Sequence, residues 1–149
     1  RSGTHNVAGI VGMAAALAAT AAARADEGAR VGALRDRLAD GLLAAVDGAR
    51  ETGDRAAKVP GNCHLLVPGV EAESLLVLLD AAGVCASAGS ACASGAIEPS
   101  HVLVAMGIPP ADAAGAVRLT LGWTSTDDDV DRVLQVLPDC VDRLRRDAA

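Results

Sequence analysis

The sequence contains four cysteines, at positions 63, 85, 92 and 140, and Cys92 has the setting best suited to chemistry. It stands in Ser87-Ala88-Gly89-Ser90-Ala91-Cys92-Ala93-Ser94-Gly95, a run of small residues only. A thiol there has little steric cover and a backbone free to move, and a reactive thiolate needs access. Alternatively, small residues simply make a loop in which the cysteine is incidental. Cys63 and Cys85 lie in strand patterns beside Leu65 and Val84 and are expected to be buried and inert. Arg118 is the second candidate. It projects from the polar side of Val117-Arg118-Leu119-Thr120-Leu121-Gly122, where apolar neighbours would anchor it. A guanidinium held in this way clasps a carboxylate through two parallel hydrogen bonds; otherwise it is an arginine on the solvent face of a sheet. Cys63-His64, Cys85, Cys92 and His101 include metal-ligand types, but their spacing is not that of a zinc knuckle or finger, so no metal is expected. Gly89-Ser90-Ala91 lacks the Gly-Lys-Ser/Thr ending of a phosphate-binding loop.

The elements that must position these residues follow from periodicity and punctuation. The alanine-rich stretch from Val7 to about Ala25 predicts a helix with Asn6 as N-cap. A second, amphipathic helix is expected from about Asp26 to Val46, with Val31, Leu34, Leu38, Leu42 and Val46 on its apolar stripe. A polar connection, Gly48 to Gly61, leads to a strand from Asn62 to Val67 and a helix from Glu71 to Ala82 closed by Gly83. Val84 to Ala88 predicts a short strand running into the Cys92 segment. Ser100 to Met106 follows Pro99 as a short helix ended by Gly107, and Ala116 to Leu121 alternates as a strand. The last helix is capped by Thr124, Ser125 or Thr126, opens with Asp127, Asp128 and Asp129, and is expected to kink or restart at Pro138. This order describes an α/β (α+β) fold, a small sheet of about three strands with helices on one face, preceded by a long helical segment. One domain is expected over 1–149, with 1–47 as helical lead-in and 48–149 as the small α/β part carrying Cys92.

With 149 residues, 51% hydrophobic and a net charge of −6, the chain has the composition of a folded soluble domain and not of a disordered one. Its acidity argues against a nucleic-acid groove. There is no Phe or Tyr, and Trp123 alone could stack on a base or sugar. Lys58 is the single lysine, so Schiff-base chemistry must use it or lie outside the chain. Val7 to Ala23 is expected to be too short and too weakly hydrophobic to span a membrane. No signal-peptide pattern is present, and the sparse cysteines fit a reducing cytoplasm.

Three segments carry a resemblance. Arg1-Ser2-Gly3-Thr4-His5-Asn6, Ser87-Ala88-Gly89-Ser90-Ala91-Cys92 with Glu98-Pro99-Ser100, and Val117-Arg118-Leu119-Thr120-Leu121-Gly122 with Thr124-Ser125-Thr126-Asp127 resemble, in order and spacing, signatures of the cysteine desulfurases. These are the NifS-like, pyridoxal-phosphate enzymes of aminotransferase class V. Pro60-Gly61-Asn62 and the stretch from Pro68 to Leu76 also resemble that family.

The resemblance implies that Cys92 attacks the sulfur of a cysteine–pyridoxal adduct, becomes a persulfide and hands sulfur to an acceptor protein, leaving L-alanine. Its loop would swing between cofactor and acceptor, which suits a run without bulky side chains. Arg118 would hold the α-carboxylate of L-cysteine. Thr4 would reach the cofactor phosphate of a neighbouring subunit, implying a homodimer with shared sites; Ser90 and Arg1 carry over more weakly. The family's pyridoxal lysine belongs to a domain that precedes the Arg-Ser-Gly-Thr segment, and Lys58 has no relation to its motif. The chain therefore resembles the C-terminal small domain with its helical lead-in, is expected to be inactive alone, and should expose an apolar face where the cofactor domain packs. A stand-alone persulfide relay or acceptor-docking module is the alternative from a different class, and a small interaction domain without chemistry is the blandest. The sulfur acceptor, the source of the truncation and the oligomeric state of the chain are open at this point.

Overall fold

The computed structural model describes residues 3–88 and 100–148. Helix α1 runs without a break over Val7–Ala45, so the two expected helices are one. The change of polarity at Asp26 alters what the helix touches and not its backbone, because alanine, arginine and glutamate all favour helix there. Asn6 caps it, its side-chain oxygen accepting from the Gly9 N–H at 3.0 Å.

The two halves of α1 live in different surroundings. From Val7 to Asp26 every residue is exposed, including Val7, Ile10, Val11, Met13 and Leu17, which is the apolar face expected from the sequence. An 18-residue window of α1 reaches a mean hydropathy of 1.6, enough by length and composition to cross a membrane. That corrects the expectation of a stretch too short and weakly apolar; alanine supplies the hydropathy and the fusion of two helices supplies the length. From Val31 to Leu42 the helix instead buries a stripe against the sheet.

The sheet has three antiparallel strands in the order β1-β2-β3: Arg50–Glu51, Asn62–Leu66 and Ala116–Thr120. β1 was not expected; it lies within the polar connection. The expected strand over Val84 to Ala88 is reduced to a single antiparallel bridge between Ser87 and Arg118. β2 and β3 pair from Asn62↔Thr120 to Leu66↔Ala116, and a glycine stands just beyond each end of β2–β3 pairing. A Cβ on Gly61 would meet the Leu121 carbonyl oxygen at 2.1 Å, and one on Gly115 the Val67 carbonyl oxygen at 2.0 Å. Only glycine allows the strands to close this tightly at both ends.

Helix α2 (Ala72–Ala81) and helix α5 (Asp127–Asp147) complete the layer over the sheet. Leu34, Leu38 and Leu42 of α1, Leu75 and Leu79 of α2, and Val130, Leu137 and Val141 of α5 meet Cys63, Leu65, Val117 and Leu119 in one core. Gly83 ends α2 with φ +79°, the left-handed conformation a helix terminus needs. Thr126 caps α5 in a reciprocal box with Asp129. Pro138 does not interrupt α5, because Val136, Leu137 and Val141 are buried on both sides of it and hold the helix to the core. Two short helices, α3 (His101–Ala105) and the unexpected α4 (Pro110–Ala113), sit apart. With Leu66 and Ala116 they build a second small cluster through Leu103 and Ala113. Since Leu66 and Ala116 belong to the sheet's other face, the helices are not all on one side.

Candidate functional site

Side chains alternate along a strand, and residues directly opposite in an antiparallel pair share a face. Cys63, Leu65, Val117 and Leu119 point into the core. His64 and Arg118, which are register partners, therefore stand on the opposite face. The row extends in both directions. Thr52 donates its N–H to the His64 carbonyl at 3.0 Å, continuing the β1–β2 register of Glu51↔Leu65 by one residue. On the far side, the Arg118 N–H donates to the Ser87 carbonyl at 2.8 Å and the Ser87 N–H to the Arg118 carbonyl at 3.0 Å. Thr52, His64, Arg118 and Ser87 thus form one transverse line of polar residues, all half-buried.

Arg118 stands where the sequence put it, on the polar side of a strand. Among the described residues, arginine ion pairs belong to Arg30, Arg35, Arg37, Arg50 and Arg55, and Arg118 has none. Among the described residues its guanidinium meets no carboxylate. The chain leaving Ser87 reaches Cys92 five residues later, so Arg118 is stitched by its backbone to the segment that leads into the candidate nucleophile. Cys92 itself, with Ser90, lies outside the described residues, as do Arg1 and Ser2.

The other thiols separate clearly. Cys63 is buried, and burial pushes its pKa up to about 11, with the negative charge of Glu51 adding to the effect. Cys140 is partly buried and its thiol is also shifted upward, by burial and by Asp139. Cys85 is exposed, which corrects the expectation of a buried thiol. Val84 is the residue that turns inward, and alternation then sends its neighbour out. Cys85 lines a shallow cavity of about 180 Å³ with Leu38, Leu119, Asp129 and Arg132; Arg118 is not part of that wall.

Lys58 is held at both ends of its reach. Its ammonium lies 2.5 Å from Glu51 and 3.2 Å from the Thr52 carbonyl. Burial raises the Glu51 carboxyl, but hydrogen bonds from Lys58 and Arg55 outweigh it and hold the group below the usual carboxylate range. Arg55 continues the network to Asp40 at 2.7 Å and Asp36 at 3.6 Å, tying the 50–58 segment to α1. A lysine locked in this way is structural. Thr4 is exposed, ahead of α1. The 25 residues from Val7 to Val31, where α1 first enters the core, span about 37 Å of helix, so Thr4 and Arg118 are not brought together within the chain.

His64 and Thr52 were not singled out by the sequence as site residues. His64 has its Nδ1 2.7 Å from the Thr52 hydroxyl. Burial lowers its pKa, and the positive charges of Arg118 and Lys58 push the same way, so the ring is neutral at neutral pH. The signal that could have found it was parity: His64 is polar and adjacent to a core residue in a strand. Its partnership with Arg118 depends on a register that no local pattern contains.

The comparison with known proteins bears on the whole chain. The family model described as aminotransferase class-V matches residues 1–133. The chain belongs to the aminotransferase class V family. It is 48% identical over 149 residues to the IscS-like cysteine desulfurase of Mycobacterium tuberculosis, covering 99% of this chain and 38% of that protein. It is 45% identical over 145 residues to a cysteine desulfurase of Gluconacetobacter diazotrophicus, covering 97% and 36%. Among solved structures, a NifS-like protein superposes with a TM-score of 0.82 at 29% identity over 96% of this chain and 36% of that one. The NifS-like protein from Rickettsia africae gives 0.80 at 25% identity, covering 95% and 36%. The chain therefore spans just over a third of the length of the relatives it matches, and it shares the fold of the matching part of these NifS-like structures.

Proposed function

We propose that this chain is the sulfur-accepting, carboxylate-binding part of a cysteine desulfurase. L-cysteine and the Cys92 thiol yield L-alanine and a Cys92 persulfide: an S–S bond forms, the substrate C–S bond breaks, and the substrate carbon takes up a proton. The persulfide sulfur then passes to an acceptor protein. The observation that carries this reading is the double backbone hydrogen bond between Arg118 and Ser87. It ties the anchor for the substrate's carboxylate to the segment bearing the nucleophile. Names of relatives at 45–48% identity support the same chemistry.

Pyridoxal phosphate, in the complete enzyme, supplies an electron sink for the bound amino acid. The residues described here do not fit its Schiff-base position: Lys58 is the single lysine, and Glu51 and the Thr52 carbonyl hold it. The lysine must come from another part of the protein, and these 149 residues alone do not turn over cysteine. Thr4 suits a phosphate contact, and its distance along α1 from the sheet favours a contact with a neighbouring subunit's cofactor, hence a homodimer with shared sites. The apolar first half of α1 suits cover by protein, and the free thiols suit a reducing cytoplasm.

The decisive variant is Cys92→Ser in the full-length protein. It is expected to keep the cofactor absorbance and lose alanine formation, with no 32-dalton addition to the chain by mass spectrometry. Retained turnover would remove Cys92 from the chemistry. A persulfide acquired from a donor by a protein that never forms alanine would favour the relay module.

A further inference from the structure

The row Thr52–His64–Arg118–Ser87 contains a residue to which the proposed chemistry assigns no task. Arg118 directs both of its backbone hydrogen-bonding groups to Ser87, so its pairing with His64 is of the non-hydrogen-bonded type. That type brings opposite side chains closest, with Cα atoms about 4.5 Å apart. The imidazole and the base of the Arg118 side chain are thus immediate neighbours on one face.

The ring is itself braced. Thr52 holds the ring through its hydroxyl on Nδ1 at 2.7 Å and holds the backbone beneath it through its N–H on the His64 carbonyl at 3.0 Å. With Nδ1 engaged, Nε2 is the ring's remaining polar atom. Burial first, and then the charges of Arg118 and Lys58, favour the uncharged ring, which does not repel a guanidinium. In the tautomer whose Nδ1–H donates to the Thr52 hydroxyl, Nε2 offers a lone pair to an arginine N–H. An arginine has a long, flexible stem, and a fixed neutral wall beside it removes orientations in which the fork faces away from the ligand.

We propose that His64, held by Thr52, is a positioning residue that sets the orientation of Arg118 for binding the substrate's carboxylate. This rests on the assignment of Arg118 to that carboxylate. His64 touches no reacting atom, and its contribution is to binding the acid group alone.

The test uses the full-length enzyme with L-cysteine as substrate and cysteamine, which lacks the carboxylate, as competitive inhibitor. His64→Phe keeps the ring and removes both nitrogens. It is expected to raise KM for L-cysteine about tenfold while kcat and the cysteamine inhibition constant stay within about twofold. His64→Gln, which keeps an amide acceptor, should bring KM back to within about threefold of the parent. An unchanged KM in His64→Phe overturns the proposal, and so does a parallel rise in KM and in the cysteamine constant, the mark of general structural loss. If His64→Phe fails to fold, Thr52→Val removes only the brace; KM should rise about threefold, and an unchanged KM again overturns the proposal. Arg118→Ala separates the two levels. If it leaves KM unchanged, the carboxylate assignment fails; if it raises KM while His64→Phe and Thr52→Val do not, only the role of His64 fails.

Discussion

The two faces of the sheet are made from alternate residues of the same strands and do opposite things. Inward, Cys63, Leu65, Val117 and Leu119 are all 4% exposed or less and form the floor of the core. Outward, Thr52, His64, Arg118 and Ser87 line up half-buried and polar. Cys63 and His64 are neighbours in the chain, and both are kept uncharged by burial, yet with different consequences. An uncharged thiol in the core is silenced, because the thiolate is the nucleophile. An uncharged imidazole at the surface row stays compatible with the cation beside it. Parity along β2 and β3 thus places the main core on one face and the polar row on the other, beside the small cluster of Leu66 and Ala116.

The contrast is broken most forcefully by exchanging what each face loses. Leu65→Ala, which empties the inward face, should destabilise the protein by about 2–5 kcal/mol, read from the denaturant midpoint at constant slope. Arg118→Ala, one strand away on the outward face, should stay within about 0.5 kcal/mol of the parent in the same measurement. Its effect belongs in KM for L-cysteine, where loss of a bidentate pair of about 2 kcal/mol or more corresponds to roughly thirtyfold. A large stability loss in Arg118→Ala would erase the division of labour between the faces.

Thiol labelling sharpens the same comparison at lower cost to the fold. With iodoacetamide at pH 8, Cys85 should be carbamidomethylated while Cys63, buried and shifted upward to about 11, stays unmodified until denaturant is added. Peptide mass spectrometry reads both sites at once. Equal labelling of Cys63 in the native protein would mean that the inward face opens far more readily than its packing implies.

How much of this was legible in the sequence depends on range. The Asn6 cap, the glycine stops at Gly83 and Gly107, a cap for α5 among Thr124, Ser125 and Thr126, and the parity of β3 are local signals, each carried by a few adjacent residues. The continuity of α1 is not legible locally, because the change of polarity at Asp26 marks a change of surroundings and not of backbone. β1 is two residues long and exists through pairing with Arg50↔Leu66 and Glu51↔Leu65; nothing in its own composition announces it. The expectation of a buried Cys85 rests on its place beside Val84 in a strand pattern, whereas alternation with a buried Val84 turns it outward. Of the site, Arg118 was legible as a rigidly mounted arginine. The row it belongs to was not, because Thr52, His64 and Ser87 meet it only through the register of three chain segments.

The smallest effect tests why His64 is uncharged. Its folded-state pKa lies below the ordinary 6.5 of an unfolded histidine. Below pH 6.5 the unfolded chain therefore binds a proton that the folded protein refuses, so the unfolded state gains stability as the pH falls. This group's contribution is fully present above about 6.5 and is progressively lost as the pH drops from there through the folded pKa. In a ring-proton titration by nuclear magnetic resonance, the His64 signals should move below pH 6.5. His64→Gln should flatten the corresponding part of the stability profile without changing its level near pH 8 by more than about 1 kcal/mol. A His64 that titrates at or above 6.5 would mean that the row accommodates a second positive charge beside Arg118, and the outward face would then be far more open to solvent than the inward one by a margin that the half-buried positions of these side chains do not allow.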